Sequence, residues 1–145
     1  ILIKRLRENM EIKRKNSVKR TAILDALSAS KEHPTAEWIY KRLKEVYPKI
    51  SFATVYRNLK QLQQAGQVRS VGTVFGQERF DGFTSAHPHA VCVACGKVAD
   101  LKYGDGYDEF LKTVNRDGFE AETVSLQFFG LCRECKAKKD SDNSD

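Results

Sequence analysis

Long apolar runs are missing from this chain of 145 residues, and its opening stretch lacks the short apolar core of a secretory leader. A membrane helix needs about 18 such residues in succession. We therefore expect neither a spanning segment nor a signal peptide, and read the chain as cytoplasmic with no membrane partner. An initiating Met is also missing, since the chain opens on Ile1, and a few residues are expected ahead of it. Internal repeats and low-complexity segments are absent. With 41% hydrophobic and 30% charged residues the chain is too rich in core formers to be disordered.

No cysteine stands outside two pairs, Cys92-Val-Ala-Cys95 and Cys132-Arg-Glu-Cys135. Without a leader, paired CxxC knuckles read as a metal site rather than a disulfide framework. Each knuckle sets two thiolates about one tetrahedral edge apart, and two knuckles complete a structural Zn(Cys)4 shell. Residues 96–131 between them are more than a simple zinc ribbon uses, so a small folded element must intervene.

The net charge of +6 is unevenly spread. Residues 1–84 hold 17 Lys and Arg against 8 Asp and Glu, whereas residues 85–145 hold 8 against 11. A basic front and a mildly acidic back imply that only the front faces a polyanion. Solvated surface charge is the alternative reading.

Helical periodicity starts around Val18, Ala22, Ile23, Ala26 and Leu27, with Ser17 as N-cap. After His33-Pro34, Thr35 caps a helix with Ala36, Ile39, Tyr40, Leu43 and Val46 on its apolar face, ended by Pro48. Ser51 caps a third helix that buries Val55, Leu59 and Leu62 and stops at Gly66. Its other face carries Thr54, Arg57, Asn58, Gln61 and Gln64. A hairpin follows, Val68–Val71 and Glu78–Phe80 about a turn through Gly72–Gly76.

Three helices and a two-stranded ribbon are the order of a winged helix, whose third helix enters the DNA major groove. Arg57 can then read guanine, Asn58 and Gln61 adenine edges, and Thr54 a phosphate, with Ser51 and Tyr56 counted on the same interface. The second half reads as strand, strand, helix, strand. His89–Val93 and Lys97–Lys102 flank the first knuckle, Asp105 caps a helix with Tyr107, Phe110, Leu111 and Val114, and Ala121–Phe129 alternates Val124, Leu126 and Phe128 into the second knuckle. Such a unit is small to stand alone, and zinc or a dimer partner is expected to stabilise it. The expected fold is α+β. It has a winged-helix DNA-binding domain (1–84), a small α/β dimerisation and metal-binding domain with a Zn(Cys)4 site (85–136), and a disordered polar tail (137–145).

His87 and His89 stand at i and i+2, so an extended segment points both to one face, as two metal ligands would be. Asp81 and Asp100 lie on either side in sequence. Nitrogen and carboxylate donors together suit Fe(II), Mn(II) or Zn(II). Spacing alone leaves open whether they converge, and His33 could equally be a turn residue ahead of Pro34.

The runs Ser51-Phe-Ala-Thr-Val-Tyr-Arg-Asn-Leu-Lys60, His33-Pro-Thr35 and His87-Pro-His89, with Cys92-x-x-Cys95-Gly96 and Cys132-x-x-Cys135, resemble the ferric-uptake-regulator (Fur) family, in order from about Ser17 to Cys135. One departure is Ser17-Val-Lys-Arg20, where the family usually has Thr-Pro-Gln-Arg. The resemblance implies a homodimeric bacterial transcription repressor binding palindromic operator DNA, and neither an enzyme nor a binder of small organic substrates. It maps structural Zn2+ onto Cys92, Cys95, Cys132 and Cys135. It maps a regulatory Fe2+ or Mn2+ onto His33, Asp81, His87, His89 and Asp100.

Asp100, where iron regulators commonly carry Glu, and the absence of His from Glu122 to Gln127 are similar to the peroxide-sensing (PerR-like) branch. There, metal at the five-ligand site favours the DNA-binding arrangement. Hydrogen peroxide acting on the Fe(II) form oxidises a ligand histidine, His33 or His87 by resemblance, and operator DNA is released. The alternative on the same scaffold is an iron- or zinc-responsive regulator of metal uptake. A remote one is a non-haem iron enzyme using two His and a carboxylate, for which a winged helix in so short a chain leaves little substrate pocket.

Overall fold

A computed structural model describes residues 2–102, 106–116, 118–122 and 124–142. The elements are α1 (Leu2–Ala29), α2 (Ala36–Val46), α3 (Phe52–Gln64), β1 (Arg69–Val74), β2 (Gln77–Asp81), β3 (His89–Cys92), β4 (Val98–Asp100), α4 (Gly106–Asn115), β5 (Gln127–Gly130) and α5 (Arg133–Asp142). They fall into two compact units, Ile1–Thr84 and Ser85–Asp145. No helix among the described residues is long and apolar enough to cross a membrane.

The first unit is a winged helix. Its three helices pack about Ile23, Leu27, Ile39, Leu43, Val55, Leu59 and Leu62, and Val68 and Phe80 bring the hairpin onto the same core. Thr35 Oγ1 accepts from Trp38 N at 3.1 Å and Ser51 Oγ from Thr54 N at 3.2 Å, so both expected caps are present. Gly66, at φ +70, takes the left-handed step that ends α3.

Ser17 does not cap α1. The helix runs unbroken through it, and Ser17 instead accepts from Thr21 Oγ1 at 3.1 Å. Residues 2–29 contain neither Gly nor Pro, and Lys, Arg, Glu and Leu dominate the front, so intrinsic propensity carries the helix through residues 4–16, where none of the described side chains is buried. An i,i+4 pair, Glu11 to Lys15 at 2.8 Å, adds local support. Val18 and Val46, expected on apolar faces, are exposed at the ends of those stripes.

β1 and β2 pair antiparallel from Arg69↔Asp81 to Val74↔Gln77. The turn is shorter than expected. Gly72, at φ +108, belongs to a bulge rather than to the turn, and the strand continues to a buried Val74. Only Phe75 and Gly76 turn the chain, both at positive φ as tight hairpins require.

The second unit holds a three-stranded sheet of order β4-β3-β5. β3 is antiparallel to β4, with His89 opposite Asp100, and parallel to β5. The expected strand Ala121–Phe129 shrinks to Gln127–Gly130, because its single partner β3 offers only four residues to pair with. Leu111 and Val114 are half-buried on α4 and Phe110 is exposed, whereas Asp105 and the Tyr107 side chain lie outside the described residues. Nor is the tail uniformly irregular. Residues 133–142 form α5, which buries no side chain. Its Lys, Glu and Ala are good helix formers, and Lys136 N donating to Cys132 O opens its first turn at the second knuckle.

Candidate metal centres and nucleic-acid interface

The parallel pairing of β3 and β5 delivers the two knuckles to one place. Cys92 ends β3, and Val93 N donates to Gly130 O at 2.8 Å. The first knuckle folds back through Gly96, whose N–H reaches Cys92 O at 2.9 Å. The second knuckle spans the start of α5. The four sulfurs lie within 4.8 Å of one another, and Cys95 Sγ is 3.8 Å from Cys132 Sγ. A Zn–S bond of about 2.3 Å gives a tetrahedral edge of about 3.8 Å, so the spacing matches a Zn(Cys)4 shell.

Electrostatics agree. The Cys132 amide, donating to Cys92 Sγ at 3.3 Å, holds the Cys92 thiol down at about 6. Cys135, crowded by Cys132 and Cys95, is pushed up to about 12. Four thiolates this close cannot all ionise without a cation among them, and the donor set fits Zn(II).

Two further clusters contain every histidine of the chain. In the second unit the β3–β4 register sets His89 opposite Asp100, and His87, two residues earlier, reaches the same carboxylate. His87 Nε2 is 2.9 Å and His89 Nε2 3.4 Å from Asp100 Oδ1, and the two rings lie 4.4 Å apart. His87 Nδ1 lies 2.8 Å from Ser85 O, which can only accept. With Nδ1 donating there, the Nε2 lone pair is left on the side of Asp100, the second-shell pattern of a metal-ligating histidine.

In the first unit, buried His33 brings Nδ1 to 3.8 Å from Oδ1 of buried Asp81. His33 sits at φ +49, a left-handed conformation uncommon outside glycine. Its neighbours hold it there. Pro34 O accepts from Phe80 N at 3.1 Å, His33 O from Arg79 Nη1 at 3.3 Å, and Thr35 bridges to Arg79. Asp81 Oδ1 is fixed by Phe83 N at 2.7 Å. A buried imidazole and a buried carboxylate thus meet on a locally strained backbone. Their nitrogen and oxygen donors fit a divalent Fe or Mn.

On α3, Arg57 and Tyr56 are exposed, and Ser51 and Thr54 stand at the capped N-terminus. Gln61 is exposed, with Oε1 accepting from Arg20 Nη2 at 2.6 Å. Asn58 corrects the sequence reading. It is only 2% exposed and donates Nδ2 to Thr54 O at 2.8 Å, so it has no base edge to read. Its place three residues after Val55 and four before Leu62 puts it on the core face, a signal the sequence carried. The sequence reading also missed Phe52, which is exposed and stacked on Tyr56 at 6.2 Å. It missed Lys60 too, which ties α3 to the wing through Glu78 Oε2 at 2.7 Å.

The two asparagine and arginine neighbours should behave oppositely. Asn58→Ala is expected to lower stability by about 1–3 kcal/mol without changing base preference. Arg57→Ala should cost about 1–3 kcal/mol of specific affinity with stability unchanged. Thermal melts and operator titrations at matched salt check both.

Residues 11–129 match the model of the "Ferric uptake regulator family". The peroxide operon regulator of Bacillus subtilis is 38% identical over 139 residues, covering 92% of this chain and 95% of that protein. Among solved structures, the Campylobacter jejuni peroxide stress regulator superposes with a TM-score of 0.80 at 29% identity, over 90% of this chain and 98% of the other. The manganese-bound ferric uptake regulator of Pseudomonas aeruginosa gives 0.67 at 32% identity, over 87% and 98%. With a family match across most of its length and a winged helix joined to a four-cysteine unit, the chain belongs to the ferric uptake regulator family.

Proposed function

We propose that this protein is a metal-dependent transcriptional repressor that releases DNA in response to hydrogen peroxide. The observation that carries the reading is the convergence of His87 and His89 on the Asp100 carboxylate, a donor set built on paired strands. Likeness to peroxide regulators from two organisms gives the signal its identity. The residues His33, Asp81, His87, His89 and Asp100 together hold one regulatory Fe(II) or Mn(II). Cys92, Cys95, Cys132 and Cys135 hold structural zinc. Ligands drawn from both units make metal binding a bias on how the winged helix is presented, so repression is a population shift. A homodimer reading a palindromic operator follows from two such heads. The exposed Phe110, Phe128 and Phe129 of the second unit are apolar surface for a second copy to cover.

Fe(II), when bound, supplies the electron that cleaves hydrogen peroxide. The protein's part is to keep an oxidisable imidazole, His33 or His87, beside it. Ser85 O fixes the His87 ring, and Arg79 and Phe80 fix the His33 loop. An oxidised ring is a poorer ligand, so the metal is lost and DNA with it.

His89→Ala tests the site. Mn(II)-dependent DNA binding should vanish while zinc content stays as in wild type. A variant that binds as tightly as wild type, with the same Mn(II) dependence, refutes this assignment.

A further inference from the structure

The root of the wing is held by apolar packing, through Val68 and Phe80. Towards the tip, a cavity of about 350 Å³ lies between the hairpin, α2 and α3, with Glu37, Phe52, Tyr56, Thr73, Gly76 and Gln77 among its lining residues. Beside that cavity Glu78 crosses to α3. Its Oε2 accepts from Lys60 Nζ at 2.7 Å and its Oε1 from Gln63 Nε2 at 3.3 Å, so both carboxylate oxygens are tied to one helix face. Lys60 Nζ also lies 5.3 Å from the centre of the Tyr56 ring and 5.6 Å from that of Phe80. Burial opposes both charges, yet the hydrogen bond between them prevails. Lys60 is held above the usual lysine value and Glu78 below the usual carboxylate value.

We propose that Lys60 and Glu78 are a positioning pair. Their bond sets the wing against α3, and the Tyr56 ring on that helix, at the spacing that duplex DNA requires, and Lys60 binds no phosphate itself. The inference rests on the reading of α3 as the recognition helix. A lysine on such a helix would ordinarily count as a phosphate contact, and a glutamate beside it as a charge that repels DNA. The geometry reverses the second sign. Where two elements must meet one duplex together, a bond that fixes their spacing beforehand lowers the ordering cost of binding. Glu78 therefore favours specific binding although its charge opposes it.

The test uses the full-length, Mn(II)-loaded protein, a duplex that wild type selects from a random pool, and a scrambled duplex of equal length. Glu78→Gln and Lys60→Met should each weaken binding to the selected duplex by about tenfold, and the double variant should be no worse than either single. The slope of log K against log salt should stay as in wild type, whereas a lost phosphate contact would make it shallower by about 1. On the scrambled duplex, where charge alone acts, Glu78→Gln should bind at least as tightly as wild type. In the free protein, β1 and β2 amides of the variants should exchange hydrogen faster, with those of α2 unchanged. A Glu78→Gln protein that binds the selected duplex as tightly as wild type, or more tightly, overturns the proposal. So does a Lys60→Met loss that comes with a shallower slope, or losses that add in the double variant. Equal weakening on both duplexes, with faster exchange throughout the first unit, would mean a damaged fold and overturns it too. If wild type selects no duplex, the recognition-helix reading fails, and this inference with it.

Discussion

Loaded with Fe(II) and given a stoichiometric dose of hydrogen peroxide, the protein should gain one oxygen on His33 or His87 and lose operator binding. Loaded with Mn(II), which does not readily reduce peroxide, it should do neither. Peptide mass mapping and a DNA mobility assay on the same samples read both effects. The expectation rests on the two imidazoles being held, not merely present. His87 is clamped between Ser85 O at 2.8 Å and Asp100 Oδ1 at 2.9 Å, and His33 is pinned by the Arg79 and Phe80 contacts to its loop. Asp100→Glu keeps a carboxylate but lengthens its arm, so metal-dependent repression should survive while oxidation slows. If DNA is lost through oxidised cysteines with both histidines intact, the proposed chemistry is wrong. An iron-supply regulator on the same scaffold then takes its place.

The second large effect concerns zinc. Cys135→Ser should release the zinc and abolish the cooperative melting of the second unit, while the winged helix keeps its own transition. The sheet there has three short strands, and its described side chains leave Phe110, Phe119, Phe128 and Phe129 exposed. Little apolar burial therefore stands behind the four-sulfur cluster, and metal binding is in effect that unit's folding energy. The first unit has its own core, with Phe80, Ile23, Ile39 and Leu59 fully buried, and does not draw on the metal. Metal analysis and thermal melts of the variant check the division. Retained zinc, or a joint collapse of both units, would contradict it.

What the sequence revealed divides along physical lines. Caps and knuckles are short-range chemistry, and Thr35, Ser51, Gly66 and the two CxxC pairs were legible because the residue type and its neighbours determine the geometry. The β3–β4 register was not legible, because spacing cannot show which strands meet. It is that register which turns His87, His89 and Asp100 from a list into a cluster. Asn58 was misplaced for a different reason. Polarity suggested solvent, but its helical phase was that of Val55 and Leu62, and a side-chain bond to Thr54 O made burial tolerable. The front of α1 and the whole of α5 were missed because none of their described side chains is buried, so propensity forms helix there where hydrophobic periodicity gives no sign.

The parallel pairing of β3 with β5 also bears on the order in which the molecule assembles. In the first unit, helices adjacent in sequence pack on one another, so most of its contacts close short loops and can form early. Joining β3 to β5 instead closes a loop that contains β4 and α4, from Cys92 to Gly130. Loop-closure entropy must be met before any parallel hydrogen bond repays it. Refolding from denaturant should therefore show a fast phase from the winged helix and a slower one from the sheet. Only the slower phase should depend on zinc concentration, because the two cysteine pairs can share an ion only once those distant strands have met.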